Sequence, residues 1–224
     1  MVDLSRDAGI EECLSRAVAG TCILVAGGSG AGKTTVATLL AARLECGSLE
    51  LDRFYRDRAN VPTVNVGGEP QPQWDCLEAI DISLALACVC AIINECQSTI
   101  IVPTYSFETN ARVGMESLHI PSNDHLIVEG TLACMLRPGC TLFEIPTVTV
   151  YVQAGRAERV RRIRERDRFN PRRMMEPEPV FVARMAAMAI GEHAWIYPQR
   201  KNADIVIHTE TSRNLTTRLI ERIN

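Results

Sequence analysis

The chain has 224 residues, 46% hydrophobic and 23% charged, with a formal net charge of −3. That suits one α/β domain spanning residues 1–224, with a small lid and a core that needs no disulfides. Nine cysteines, with no CxxC pair and no Cys/His cluster at zinc-ligand spacing, exclude a disulfide scaffold and a zinc module and read as reduced core thiols of a cytoplasmic protein.

The first twenty residues, MVDLSRDAGIEECLSRAVAG, carry acids and no continuous apolar core, so neither a secretory signal nor a transit peptide is expected. A β-rich run follows at residues 22–26. It leads straight into GGSGAGKT and then into a helical pattern over 34–44. Glycines weaken strands and helices alike, so four of them in eight residues imply a backbone that must turn with nothing in the way. The string satisfies GxxxxGK[ST] with a strand before it and a helix after it, the setting in which backbone N–H groups and a helix N-terminus cradle phosphate. Gly27, Gly28, Ser29, Gly30, Ala31, Gly32, Lys33, Thr34 and Thr35 are therefore predicted to bind ATP. Lys33 would reach the β and γ phosphates, and the Thr34 hydroxyl would ligate Mg²⁺.

A second run at 48–51 ends in Asp52. A carboxylate there could accept the proton of an attacking alcohol, or it could be a turn or cap residue; position alone leaves both open. Residues 60–74, NVPTVNVGGEPQPQW, read as a long loop, and 80–96 as a helix. Residues 80–93 are the most apolar stretch but contain Asp81 and are too short to span a bilayer. Further runs fall at 99–102, 125–128, 148–152 and 205–207. Glu129 follows the second of these and is read as a metal-site acid, acting through water, in preference to a surface strand end. Strands alternating with helices predict a P-loop NTPase-type three-layer sandwich, a parallel sheet with helices on both faces. Its ligand would sit at the carboxyl ends of the strands.

Residues 156–173, RAERVRRIRERDRFNPRR, hold nine arginines against three acids, a local excess of six that leaves −9 for the remainder. A solvated helix face, a nucleic-acid surface and a phosphate lid all fit such a run. The acidic balance and the lack of interleaved aromatics disfavour nucleic acid. Glu158 with Arg162, and Arg161 with Glu165, have the spacing of surface ion pairs. The irregular stretch 169–179 and the loop 60–74 are expected to be lids around the site.

Six ordered strings, GGSGAGKTT (27–35), LDRFY (51–55), QWD (73–75), PTYSF (103–107) with Arg112, VEG (128–130) and NADIVI (202–207), resemble the motifs of the uridine kinase group of P-loop nucleoside kinases. The resemblance covers about residues 22–208. It implies ATP- and Mg²⁺-dependent phosphorylation of a nucleoside 5′-hydroxyl, with Asp52 as base, Asp75 on the ribose hydroxyls and Glu129 helping to hold the metal. It also implies an arginine-rich lid from about 156 to 179, with Arg162 and Arg166 on the transferred charge and Arg172 and Arg173 unassigned. Tyr55, Trp74, Tyr105 and Phe107 could offer flat faces to the base. One carboxylate can accept from both hydroxyls of a ribose diol, which suits Asp75 to its role.

The sequence departs from the family where the base is read. Asn110 stands near the position of a histidine, Cys76 and Leu77 replace a histidine and proline, and a glutamine after the lid has no counterpart near residues 182–184. The transferred group is thus better specified than the acceptor. Uridine or cytidine comes first and nicotinamide riboside second. Another small alcohol, a P-loop ATPase and a degenerate nucleotide binder are the further alternatives. No nucleic-acid or membrane partner is expected, and a homo-oligomer would leave no signature in the sequence.

Overall fold

The computed structural model describes residues 4–121, 125–170, 174 and 176–209. The described helices are α1 (Leu4–Arg16), α2 (Lys33–Leu44), α3 (Ile82–Ile93), α4 (Arg137–Leu142), α5 (Arg156–Asp167), α6 (Glu178–Gly191) and α7 (Tyr197–Lys201). The strands are β1 (Thr21–Ala26), β2 (Gly47–Glu50), β3 (Thr63–Val66), β4 (Glu69–Pro72), β5 (Thr99–Ser106), β6 (Ala111–His119), β7 (His125–Glu129), β8 (Thr147–Gln153) and β9 (Ile205–His208).

Five of the strands form one sheet in the order β2-β7-β1-β8-β9, with every neighbour parallel. β1 is buried along its whole length, the condition that produces a continuous apolar run instead of an alternating one. Ile23 and Val25 point to one face, where they meet Ile10 of α1 and Val36 and Leu40 of α2. Cys22, Leu24 and Ala26 point to the other face, shared with Ala85 and Val89 of α3 and with Leu132 and Leu136. These two apolar layers are the three-layer sandwich that the alternating pattern predicts. No helix among the described residues is long and apolar enough to cross a membrane.

Two stretches differ from expectation. Among the described residues, 99–102 do not join the parallel sheet, and β5 pairs with β6 in an antiparallel hairpin. Along β5, Ile100 and Val102 are buried while Ile101 is 58% exposed, and a strand covered on one face belongs at a margin. Residues 60–74 are not a structureless loop, because β3 and β4 form a hairpin within them. Gly67 and Gly68 make its tight turn, with φ of 61° and 94°.

α5 is held down by Ile163, which is 2% exposed, and its charges are largely paired. Arg161 contacts Glu158 at 2.7 Å and Glu165 at 2.5 Å, while Arg164 contacts Glu178 at 2.6 Å. Glu158 is itself buried, and the hydrogen bond from Arg161 leads the causes that hold its carboxyl down at about 2. α6 runs into α7 through a π-helical turn, Glu192–Ile196. The N–H of Tyr197 closes it on the Glu192 carbonyl, and Pro198, the next residue, has no N–H to donate to the turn before it, so the wider turn falls where the ladder is interrupted.

Candidate active site

In the sheet register, Glu129 of β7 lies beside both Val25 of β1 and Glu50 of β2. The three segments that follow those strands therefore leave the sheet at one end. The segment after β1 is the glycine loop. Gly27 has φ 143°, and a Cβ there would lie 2.3 Å from the carbonyl oxygen of Val152, so only glycine allows the loop to fold back over β8. Lys33 Nζ donates to the carbonyl of Gly28 at 3.3 Å, and Thr34 Oγ1 donates to Glu129 Oε1 at 3.0 Å. Asp52 sits in the 3₁₀ turn Leu51–Phe54 after β2. A cavity of about 260 Å³ is lined by Lys33, Thr34, Asp52, Glu129, Arg162 and Arg166, with Ser29, Gly30 and Gly32 on its loop side.

Burial raises the Asp52 carboxyl, Lys33 and Arg166 oppose the rise, and Glu50 adds to it. Burial also raises Glu129, with Lys33 pulling it back and Asp52 pushing it up. Several carboxylates thus share one lysine. Arg162 is docked on the glycine loop, where Nη1 donates to the carbonyls of Gly30 at 3.2 Å and Ala31 at 3.3 Å and to Thr209 Oγ1 at 3.1 Å. Its Nε donates to Glu158 at 2.9 Å. Arg166 is 65% exposed, with Asp167 at 3.7 Å. Arg172 and Arg173 lie outside the described residues.

The acceptor-side candidates gather on the other side of Tyr55. Tyr55 meets Trp74 edge-on at 5.6 Å and Tyr105 at 5.7 Å, and Tyr105 meets Phe107 at 5.2 Å. A second cavity, of about 380 Å³, is lined by Arg58, Gln73, Trp74, Asn110, Glu176 and Arg184. Asn110 is buried there in the left-handed region, at φ 52°, a conformation asparagine tolerates.

Asp75 is only 4% exposed. Among the described residues nothing donates a hydrogen bond to its carboxylate, although its own N–H donates to Gln73 Oε1 at 3.0 Å. Burial raises this carboxyl from 3.8 to about 7; Glu192 and Asp52 add to the rise, while Lys33 and Arg159 oppose it.

Arg112 is turned away from both cavities. Its Nε donates to the Tyr55 carbonyl at 3.0 Å and its Nη2 to the Phe54 carbonyl at 3.0 Å, and Asp81 lies at 3.3 Å. Asp81 in turn caps α3 through the N–H of Leu84. The guanidinium thus staples the turn bearing Asp52 and Tyr55 to the start of α3. Arg112 reaches these acceptors from separate nitrogens of a planar fork, a spread that the single nitrogen of an ammonium does not reproduce. Arg112→Lys should lower the urea midpoint by the equivalent of about 1–3 kcal/mol, and an unchanged midpoint would show that the staple carries no stability.

Gln73, Arg159, Glu192 and Thr209 also touch the segments of the site and are not among the residues expected from the sequence. Gln73 lies inside a quoted motif and Arg159 inside the basic run, so each had a signal. Glu192 had none.

The family model described as Phosphoribulokinase / Uridine kinase family matches residues 22–216. The chain belongs to that family. Among its relatives, the uridine kinase of Staphylococcus epidermidis is 30% identical over 190 residues, covering 84% of this chain and 86% of the relative. That of Halobacterium salinarum is 27% identical over 199 residues, covering 88% and 83%. A solved structure described as a possible uridine kinase from Bacillus stearothermophilus superposes with a TM-score of 0.55 at 18% identity, over 91% of this chain and 97% of that one, a likeness of fold. A member of the phosphoribulokinase/uridine kinase family is a phosphotransferase with a hydroxyl acceptor. The kinase assignment requires a nucleoside triphosphate donor, consistent with the glycine loop.

Proposed function

We propose that the protein transfers the γ-phosphoryl group of ATP to the 5′-hydroxyl of a ribonucleoside in the cytoplasm, with uridine and cytidine the leading acceptors. The observation that carries the acceptor class is Asp75, a carboxylate 4% exposed with no described donor against it. Such a group is costly to bury unless a ligand completes it. Two adjacent ribose hydroxyls supply two donors to one carboxylate. The contiguous rings of Tyr55, Trp74, Tyr105 and Phe107 provide apolar surface beside it for a base.

Asp52 takes the proton of the attacking hydroxyl; its raised pKa brings the base nearer to working pH. Lys33 and the loop amides hold the phosphates. Arg162 and Arg166 neutralise charge on the transferred group, and the Arg166 side chain is already exposed to the cavity. Thr34 and Glu129 suit Mg²⁺. Their oxygens are hard donors within hydrogen-bonding distance of each other, and a site of one or two protein oxygens plus phosphates is what that ion takes. When bound there, Mg²⁺ would supply charge neutralisation to the phosphates.

ADP release with Mg-ATP should rise on adding uridine or cytidine and not on adding 2′-deoxyuridine. Stimulation by nicotinamide riboside alone would move the acceptor to that nucleoside. Equal stimulation by ribose and deoxyribose forms would remove Asp75 from the diol.

A further inference from the structure

The phosphate cradle and the acceptor acid are joined by a buried ion pair. Arg159 of α5 and Glu192 of the π-turn are each 6% exposed in their side chains. Arg159 Nη2 donates to Glu192 Oε2 at 2.8 Å, and Nη1 donates both to Glu192 Oε1 and, at 3.2 Å, to the carbonyl of Ser29 in the glycine loop. Gly28 packs so closely that a Cβ there would lie 2.2 Å from Arg159 Nη1 and 3.0 Å from Glu192 Oε1. The loop backbone therefore rests on the pair.

The other end of the pair reaches the acceptor side. Gly191, next to Glu192, abuts the acceptor segment; a Cβ on it would lie 2.6 Å from both Cβ and the carbonyl oxygen of Asp75 and 2.4 Å from Gln73 Oε1. Gln73 binds in both directions, its Nε2 donating to the Ala187 carbonyl of α6 at 2.8 Å and its Oε1 accepting from Asp75 N–H. From Ser29 to Asp75 the contacts run without a gap through Arg159, Glu192 and the backbone at Gly191.

We propose that Arg159 and Glu192 are positioning residues that couple the two halves of the site, so that filling the phosphate loop orders residues 73–76 around Asp75. The role assigned to Asp75 rests on the functional reading above. A buried ion pair is a poor device for stability alone, since apolar residues of similar volume often do as well. This pair, with its third bond to a loop carbonyl, fixes the distance between two binding segments instead. Arg162, one turn further along α5, holds the opposite flank of the same loop through Gly30 and Ala31.

The test is amide hydrogen exchange of peptides covering 73–76 and 187–192, with and without saturating Mg-ADP and with no nucleoside present. In the wild type, Mg-ADP should slow exchange in both peptides by about fivefold or more. Glu192→Gln should still saturate with Mg-ADP and still show slowing in the glycine loop, but lose it at 73–76. Should Glu192→Gln fold poorly, the apolar pair R159M/E192M supplies the same reading. Slowing at 73–76 that survives in the folded variant, or is absent from the wild type, overturns the coupling. Because no acceptor is added, this outcome is separate from the ADP-release panel, which alone decides the acceptor.

Discussion

Asp52→Asn should lower kcat by about 10²- to 10⁴-fold and leave Mg-ADP affinity unchanged. The amide keeps the volume and one acceptor oxygen, so the 3₁₀ turn and its packing survive, but it cannot take up a proton. In the wild type, kcat at saturating acceptor should rise with pH as Asp52 ionises, at a pH above the ordinary carboxylate range because burial raises this group. That limb should vanish from the variant. Two other outcomes are informative. Near-full turnover would remove Asp52 as the base, and a collapse of Mg-ADP affinity would make it part of the metal site.

Asp75→Asn should move stability and function in opposite directions. The Asp75 carboxyl is raised from 3.8 to about 7 in the folded chain, so the native state holds its proton where the unfolded state has lost it. Ionised Asp75 is therefore a cost. It is absent below about pH 4, grows as pH rises towards 7, and is complete above that, with an upper bound of about 4 kcal/mol. Asparagine carries no charge to desolvate. At pH 8 the variant should melt at a higher temperature than the wild type, and at pH 4 the two should converge. The KM for uridine should meanwhile rise by about 100-fold or more, since charge-assisted bonds to both hydroxyls are lost. If KM stays put, the diol assignment falls. If the melting difference is independent of pH, the carboxylate is not the buried charge it is taken to be.

How much was legible in the sequence depended on how local each signal was. The glycine loop, the helix after it and the buried strand β1 were readable because strand, turn and helix are consecutive and each has its own residue preference. Asp52 and Glu129 were readable as strand-end acids, and parallel order brings such ends together. The margin strand β5 passes for a central strand because Thr99-Ile-Ile-Val102 is apolar enough to read as one; the exposure of Thr99 and Ile101 distinguishes it. The β3–β4 hairpin was hidden by its prolines, which strands accept at margins. Arg112 shows a different limit. A motif can mark a residue as belonging to a site without saying whether its side chain faces ligand or backbone. Glu192 could not be found at all, because its partner is distant in the chain and nothing around it follows a pattern.

The π-turn at Glu192–Ile196 sets a rule about insertions and deletions. His193 and Ala194 are exposed, and by exposure alone they would rank among the most replaceable positions in the chain. A substitution there leaves the count of residues in the turn unchanged. Deleting one of them would let the turn close to ordinary α geometry and leave the segment beyond it in nearly its present phase, because the wide turn holds one residue more than an α turn. Gln199 would stay on the Thr131 carbonyl that it holds at 2.9 Å and Ile196 in the core, whereas the same deletion within the α-helical part of α6 would rotate everything beyond it by about 100°. These two positions are free in identity, and the turn can spare one of them in number.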